Sequence, residues 1–597
     1  MAYTAPVDEA AYHLSAFAAR SSIGAVDGNV VDAETIRVIL TQAGKLAADT
    51  LLPLDDALDS VGTHFADGVV RTAPGHREAY AEFIAGGWMG LALPGEWGGQ
   101  ELPLAVNAAC LEFWHSGSMA FAMGTLLTMG AAETLQAHAS AELKERYLAK
   151  IVSGEWPATM ALTEAQSGSD LGSLRTRAEP AEGNSFRLFG TKMFISYGEH
   201  DLSENIIHLV LARLPDAPPG SRGISLFLVP KMLHNGLLPH RNDVWCRGVE
   251  KKLGQHGSPT CVMSFGEHEG AVGWMVGEPN KGLAAMFTMM NRARLAVATQ
   301  GVAAAERACQ ASYAHAMDRR QGRAQGESQI KMSPIAYHPD VMRMLMTMRS
   351  LTSGARALAL ATADAIDRSR TGHDEESRAS ASLEADILTP VAKSFCTEVG
   401  IEVSSLAIQI HGGSGYVEET GVARLWRDVR IASIYEGTNG IQAIDLISRK
   451  LRADDGKIAR RMTAEFRDTA TRVGQSDNVE AANSGKTLAD TCAMLDRATE
   501  TTLRLFQRDP SAALFGATHY LKLFALIASC ALLGRAYYDC PNEAPLKGHF
   551  ASCFIFFAQS LLPECQALEH LVASGETLTS VARSFFPAGE SISRSVA

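Results

Sequence analysis

The hydrophobic period of this chain changes twice, and that ordering constrains the fold more than any single residue. From 38 to 160, apolar residues recur at three- and four-residue spacing, as in AETIRVILTQAGKLAADTLLPLDDAL and HREAYAEFIAGGWMGLALP. That is the mark of amphipathic helices, broken by the glycine-rich PGEWGG at 94–99. Near 158 the pattern shortens. ATMALTE, SFRLFGTKMFIS, IIHLVLARL, GISLFLVPK and PTCVMSFGE are rich in β-branched and aromatic residues, and turn clusters such as PDAPPGSRG separate them. This predicts a small antiparallel β-domain over 161–280.

The helical period returns over 281–452. LAAMFTMMNRARLAVATQGVAAAERACQASYAHAMDRR predicts one very long helix, HPDVMRMLMTMRSLTSGARALALATADAIDRS a second and TPVAKSFCTEVGIEVSSLAIQIHGG a third. The methionines of the second read as bundle core rather than a ligand set. ADDGKIARR at 453–461 reads as a polar linker, and 463–597 as a further helical domain for packing or oligomerisation. Residues 1–37 read as a lead segment. The predicted fold class is mainly α with a small antiparallel β-domain: helical N-domain, β middle domain, helical bundle and an additional C-terminal helical domain.

Composition narrows the function. The 597 residues are 46% hydrophobic and 20% charged, with a formal net charge of −12. That acidity argues against nucleic acid, which needs a basic footprint. Ten cysteines show neither Cys-x-x-Cys pairs nor Cys/His ligand spacing, so no disulfide framework or metal site is expected. Cys530, Cys540, Cys553 and Cys565 lie in apolar helical sequence and read as buried thiols. The first twenty residues lack a basic n-region, and no long uncharged apolar stretch appears. A reduced, cytoplasmic protein with no membrane span is expected.

The segment most suggestive of chemistry is IASIYEGTNGIQAIDL at 431–446. Glu436 sits between an aromatic and a glycine. Gly437 leaves room beside the carboxylate and Tyr435 can wall it, the local design of a buried base; taken alone, the string is weak, and a turn that only caps a helix is its plainer reading. In ALTEAQSGSDLGS, Thr163, Ser167, Gly168 and Ser169 offer hydroxyls and amides to a cofactor ring or phosphate, or make an ordinary turn. In TKMFISYG, Phe194 and Ser196 share a strand face by the period of two, to flank a flat ring or to pack across strands. In QIHGGSGY, Gly412 and Gly413 allow close backbone approach to a ligand, or cap a helix.

Together, in this order, these segments resemble the acyl-CoA dehydrogenase family over residues 40–450. The length and the extra domain resemble its large bacterial branch, which includes enzymes acting on 3-methylmercaptopropionyl-CoA in dimethylsulfoniopropionate breakdown. The resemblance implies FAD as cofactor and oxidation of a short- to medium-chain acyl-CoA to the trans-2-enoyl-CoA. It implies Glu436 as catalytic base, since Ala293, where some relatives place theirs, cannot serve. Thr163, Ser169, Phe194 and Ser196 match flavin-contacting positions. Gln409, Gly412, Gly413 and Thr438 match contacts at the adenosine and diphosphate end. Arg319 matches an arginine reaching the diphosphate across a dimer, although DRRQGR leaves Arg319 and Arg320 as alternatives. Ser169, Arg294, Tyr435 and Gly437 match the substrate side. Ala165 stands where many relatives have proline, Asn291 where many have aspartate, and Ser414 is a further departure. Leu126, Met129, Trp114 and Tyr435 are candidates to set acyl-pocket depth. Implied partners are an electron-transferring flavoprotein and a second copy of the chain. A DNA-damage-response flavoprotein, a long-chain acyl-CoA dehydrogenase and a catalytically idle scaffold are the alternatives on the same architecture.

Overall fold

A computed structural model describes residues 2–18, 31–234, 238–326 and 331–586. The chain forms two compact units, each assembled from separate segments. One comprises Met1–Ala336 with Gly400–Glu436, the other Tyr337–Val399 with Gly437–Ala597.

The first unit opens with helices. The expected lead segment carries one of its own, Val7–Ala18, which buries Ala10, Leu14 and Phe17. The next, Ala33–Lys45, is capped by Asp32, whose carboxylate accepts the Thr35 N–H at 2.7 Å. A hairpin the helical reading missed follows, His64–Ala66 paired with Val69–Arg71. Its turn, Asp67-Gly68, has φ of 52° and 77°, the positive values a two-residue hairpin turn requires and an Asp-Gly pair tolerates. Helix Leu104–Gly117 is buried along its whole length. Ser118 then caps Met119–His138 by accepting the Phe121 N–H.

The β-domain is an eight-stranded sheet. Its spatial order is Val244–Val249, Thr260–Phe265, Ser185–Ser196, Ala271–Val276, Ser225–Pro230, Ile207–Ala212 and Ala158–Ala161, with Arg177–Pro180 also on Ser185–Ser196. All these pairings are antiparallel except Ala158–Ala161 with Ile207–Ala212. Leu188, Val210, Phe227, Val229 and Phe265 form its core.

The predicted long helix spans Gly282–Asp318, 37 residues. Its middle, 293–309, is buried without interruption. Alanine-rich sequence suits that position, because it favours helix and keeps the surface narrow enough for neighbours on every side. Gly282 starts it against the sheet: a Cβ there would lie 2.2 Å from the Leu226 nitrogen.

The second unit contains Pro339–Thr371, the larger part of Glu375–His411, and the helices after Gly437. Of the methionines read as bundle core, Met344 and Met348 are buried in it, whereas Met342 is exposed. The expected linker is a correction: 453–461 is a tight turn leading into helix Lys457–Val473. Asp454 makes the turn by accepting the N–H groups of Gly456 and Ile458 at 3.0 and 2.7 Å, so the polar residues cap a helix rather than extend a linker. Helix Ala517–Asp539 is long and apolar enough to cross a membrane, with a mean hydropathy of 1.4, yet 83% of that window is buried as a core helix. All ten cysteines are buried and free.

Candidate active site

The loop after strand Ala158–Ala161 is built around Glu164. Its carboxylate accepts from Lys192 Nζ at 2.9 Å, from the N–H and hydroxyl of Thr176 at 3.0 and 2.6 Å, and from the Arg175 N–H at 2.7 Å. Burial alone would raise its pKa, but the Lys192 charge and these bonds outweigh it and hold it at about 2. Burial pulls Lys192 down to about 8, against the opposing pull of Glu164. Lys192 also donates to the Leu162 carbonyl at 2.9 Å. The loop closes on itself through Ser167 Oγ to the Asp170 carbonyl, and Asp170 Oδ1 accepts the Gly172 N–H. Sequence reading passed over Glu164 and Lys192. The available signal was a lysine inside an apolar strand, which needs a buried partner.

That ion pair sets two of the expected cofactor positions side by side. The Met193 N–H donates to the Thr163 carbonyl at 2.8 Å. Register then slips: Ile195 faces Cys261 but Lys192 faces Met263, so Met193 and Phe194 form a bulge. Bulges re-aim side chains. Phe194 has φ of 59° and is 59% exposed, while Ile195 is buried. The plain period of two expected for Phe194 and Ser196 is interrupted here by the bulge. Among the described residues no partner is made by the hydroxyls of Thr163, Ser169 or Ser196, and a Cβ on Gly168 would meet nothing within 4 Å. Free hydroxyls, an open glycine and an aromatic held outward suit the isoalloxazine ring and ribityl chain of a flavin.

A second group gathers where two helices of this unit end. His315 and His411 stack at 4.2 Å. Beside them lie Arg319, the C-cap of Gly282–Asp318, and Gln409, Gly412 and Gly413, at the end of Glu375–His411. Gly412 has φ of 61°, and a Cβ on it or on Gly413 would meet open space. Arg320 donates to the Met332 carbonyl at 3.4 Å. The Arg319 guanidinium is exposed and makes no partner among the described residues, which favours it over Arg320 for an anionic ligand.

On the substrate side, Arg294 is buried, donates to Asn291 Oδ1 at 3.4 Å and lies 5.8 Å from the Phe287 ring centroid. Leu126 and Met129 are buried in helix Met119–His138. Trp114 is packed into the helical core by Phe83 and Trp88.

Glu436 ends this unit. It is half-buried, with φ of 56°, and Gly437 follows at 84°. A non-glycine residue there is strained and must be held by its surroundings. Before it, helix Val422–Val429 is fastened by Arg424 to Asp55 and Asp56, and by Arg427 to Asp59 at 2.6 Å. Burial and the charges of Asp55 and Asp59 push Asp428 up to about 7, although the Gln255 N–H and Arg424 act against them. Tyr435 packs on Met119, Val297 and Val429, and its hydroxyl donates to Gln300. In the other unit, Lys393 Nζ donates to the Gly437 carbonyl and to Asn439 Oδ1, both at 2.9 Å. Thr438 caps helix Asn439–Asp445 by accepting the Ile441 N–H.

Models of the N-terminal, middle and C-terminal domains of acyl-CoA dehydrogenases match residues 37–155, 159–267 and 280–451. The chain belongs to the acyl-CoA dehydrogenase family. It is an FAD-dependent oxidoreductase of that family. It is 41% identical to a 3-methylmercaptopropionyl-CoA dehydrogenase of Ruegeria pomeroyi, over 97% of this chain and 99% of that protein. It is 36% identical to a butyryl-CoA dehydrogenase of Syntrophomonas wolfei, over 71% of each chain. ACDH-11 of Caenorhabditis elegans shares the fold with a TM-score of 0.80 at 18% identity, covering 99% of this chain and 96% of that one. The likeness therefore takes in the C-terminal helices outside the three domain models.

Proposed function

We propose that this acyl-CoA dehydrogenase oxidises short- to medium-chain acyl-CoA thioesters between Cα and Cβ, with 3-methylmercaptopropionyl-CoA as the leading substrate. The single observation that carries the chemistry is Glu436, a half-buried carboxylate at positive φ directly after the tethered Tyr435. The substrate reading rests on the near full-length similarity to the Ruegeria pomeroyi enzyme.

The α-hydrogen of a thioester is weakly acidic, and its removal requires that charge developing on the carbonyl oxygen be stabilised. Glu436 takes that proton on its carboxylate, and its own N–H donates to the thioester oxygen. Bound FAD would supply the acceptor for the β-hydrogen. Thr163, Ser169, Phe194 and Ser196 would hold the flavin end. Gln409, Gly412, Gly413, Arg319 and Thr438 would hold the diphosphate and adenosine end, the first four from the second copy of a homodimer. Arg294 serves the CoA side, and Tyr435 and Gly437 flank the reacting carbons. Electrons then pass to an electron-transferring flavoprotein. We place the enzyme in the cytoplasm, in acyl-CoA oxidation or dimethylsulfoniopropionate breakdown.

The test is anaerobic titration of the FAD-loaded protein, followed near 450 nm. 3-Methylmercaptopropionyl-CoA is compared with butyryl-, hexanoyl-, octanoyl- and palmitoyl-CoA. Bleaching is expected, fastest with the methylthio substrate. Because one methylene discriminates by only about 1–3 kcal/mol, the neighbouring chain lengths should react more slowly rather than not at all. Glu436→Gln should keep FAD and acyl-CoA binding and lose reduction. Retained reduction would end the base assignment, and fastest bleaching by palmitoyl-CoA would end the substrate assignment.

A further inference from the structure

The tyrosine before the base is tethered at its hydroxyl. A plain apolar wall needs only a ring, and phenylalanine would supply it. Tyr435 instead packs against the buried cluster of Met119, Val297, Ala304, Val429 and Ala432 and carries a hydroxyl beside it. An unpaired hydroxyl there would be costly. It donates to Oε1 of Gln300, a fully buried glutamine midway along helix Gly282–Asp318. The Gln300 amide is itself held, its Nε2 lying 3.5 Å from Met123 Sδ on helix Met119–His138.

A second glutamine, Gln255, is locked to the helix that leads into the base. Its N–H donates to Asp428 Oδ1, and its Nε2 donates to the Asp428 carbonyl at 3.0 Å. Its backbone is at φ of 50°. The preceding Gly254 lies so close to that helix that a Cβ would fall 2.5 Å from the Arg427 carbonyl carbon. Glycine lets the loop sit this close, and its bonds to Asp428 pin the end of helix Val422–Val429. The long helix thus holds the phenol and the Gln255 loop holds the helix before it, one residue ahead of a carboxylate with a strained backbone.

We propose that Tyr435 and Gln300 are positioning residues for Glu436: the phenol–amide contact fixes the rotation of the segment 430–435 and so aims the carboxylate. The inference rests on the reading of Glu436 as base. A polar pair set in an apolar cluster acts as a register device, since a slipped arrangement leaves both groups unsatisfied. The effect belongs in the reaction rate rather than in binding, because misplacing a reacting group by about 1 Å costs up to roughly 100-fold.

The experiment uses the FAD-loaded protein and single-turnover flavin reduction by butyryl-CoA and 3-methylmercaptopropionyl-CoA. Tyr435→Phe removes one oxygen atom, and Gln300→Met removes the acceptor at similar volume. Each should lower the limiting reduction rate by roughly 10- to 100-fold, with the half-saturating acyl-CoA concentration moving less than about threefold. The double variant should be no slower than the slower single one, because both remove the same contact. A limiting rate within about twofold of wild type for Tyr435→Phe, a loss expressed only as weaker binding, or multiplying effects in the double variant would each overturn the proposal. Should Gln300→Met not fold, Tyr435→Phe decides alone. Glu436→Gln run beside them separates the two readings. If it keeps reduction, the base assignment fails; if it abolishes reduction while Tyr435→Phe is normal, only the positioning role fails.

Discussion

Replacing Lys192 with methionine tests whether the flavin-side loop depends on a buried ion pair. The ammonium is fully buried and donates to Glu164 Oε1 and to the Leu162 carbonyl, both at 2.9 Å. The variant strands a buried carboxylate that retains only its bonds from Arg175, Thr176 and Gln166. Glu164 is held at about 2 against an ordinary 4.5. Breaking a buried pair from one side costs about 3–5 kcal/mol. At about 2.1 cal/mol/K per residue, a loss of about 3 kcal/mol should lower the melting temperature by roughly 2–4 °C, read by tryptophan fluorescence and flavin release. The sign with pH is fixed. In the wild type Glu164 is depressed, so its contribution is complete above pH 4.5 and fades as pH falls toward 2. In Lys192→Met, burial is no longer opposed by a cation, the carboxyl pKa rises, and protonation relieves the strain as pH falls. Both trends shrink the gap between the proteins on acidification. Adding Glu164→Gln should recover part of the loss, because it removes the stranded charge. A shift under about 1 °C at pH 7, or a gap unchanged between pH 7 and 3, would refute the reasoning.

Phe194→Ala should purify with less FAD and release it at lower temperature, because an aromatic held outward on a bulge has ligand contact as its use; flavin content equal to wild type would refute this. Gly282→Ala should cost on the order of 3 kcal/mol or prevent folding, since its Cβ would meet the backbone of Ser225 and Leu226 at 2.2 Å. Gly248→Ala, with nothing within 4 Å, serves as the control and should melt like wild type.

Period carries far in this chain because its three parts differ in the kind of burial they need. The helix Gly282–Asp318 and the strands after 158 fall where the hydrophobic pattern changes, since each pattern matches one way of hiding apolar surface. The errors come where polar residues act locally. Asp67-Gly68 makes a hairpin turn inside a helical stretch, and Asp454 turns an apparent linker into a helix start. Both carry short-range signals that a window of periodicity averages away. The site divides along the same line. Glu436 and the loop after Thr163 stand in recognisable strings, but what holds them does not: Lys192 is 28 residues from Glu164, Gln300 is 135 from Tyr435, and Gln255 is 173 from Asp428. Nothing in the local sequence of Gln300 marks it as a partner, because its neighbours are the small apolar residues of a core helix. A buried polar side chain in such a run still implies a partner somewhere, since it would not be tolerated unpaired. Read that way, Lys192, Gln300 and Lys393 were each a question the sequence posed, and the fold answers all three beside the loop or turn that presents a candidate site residue.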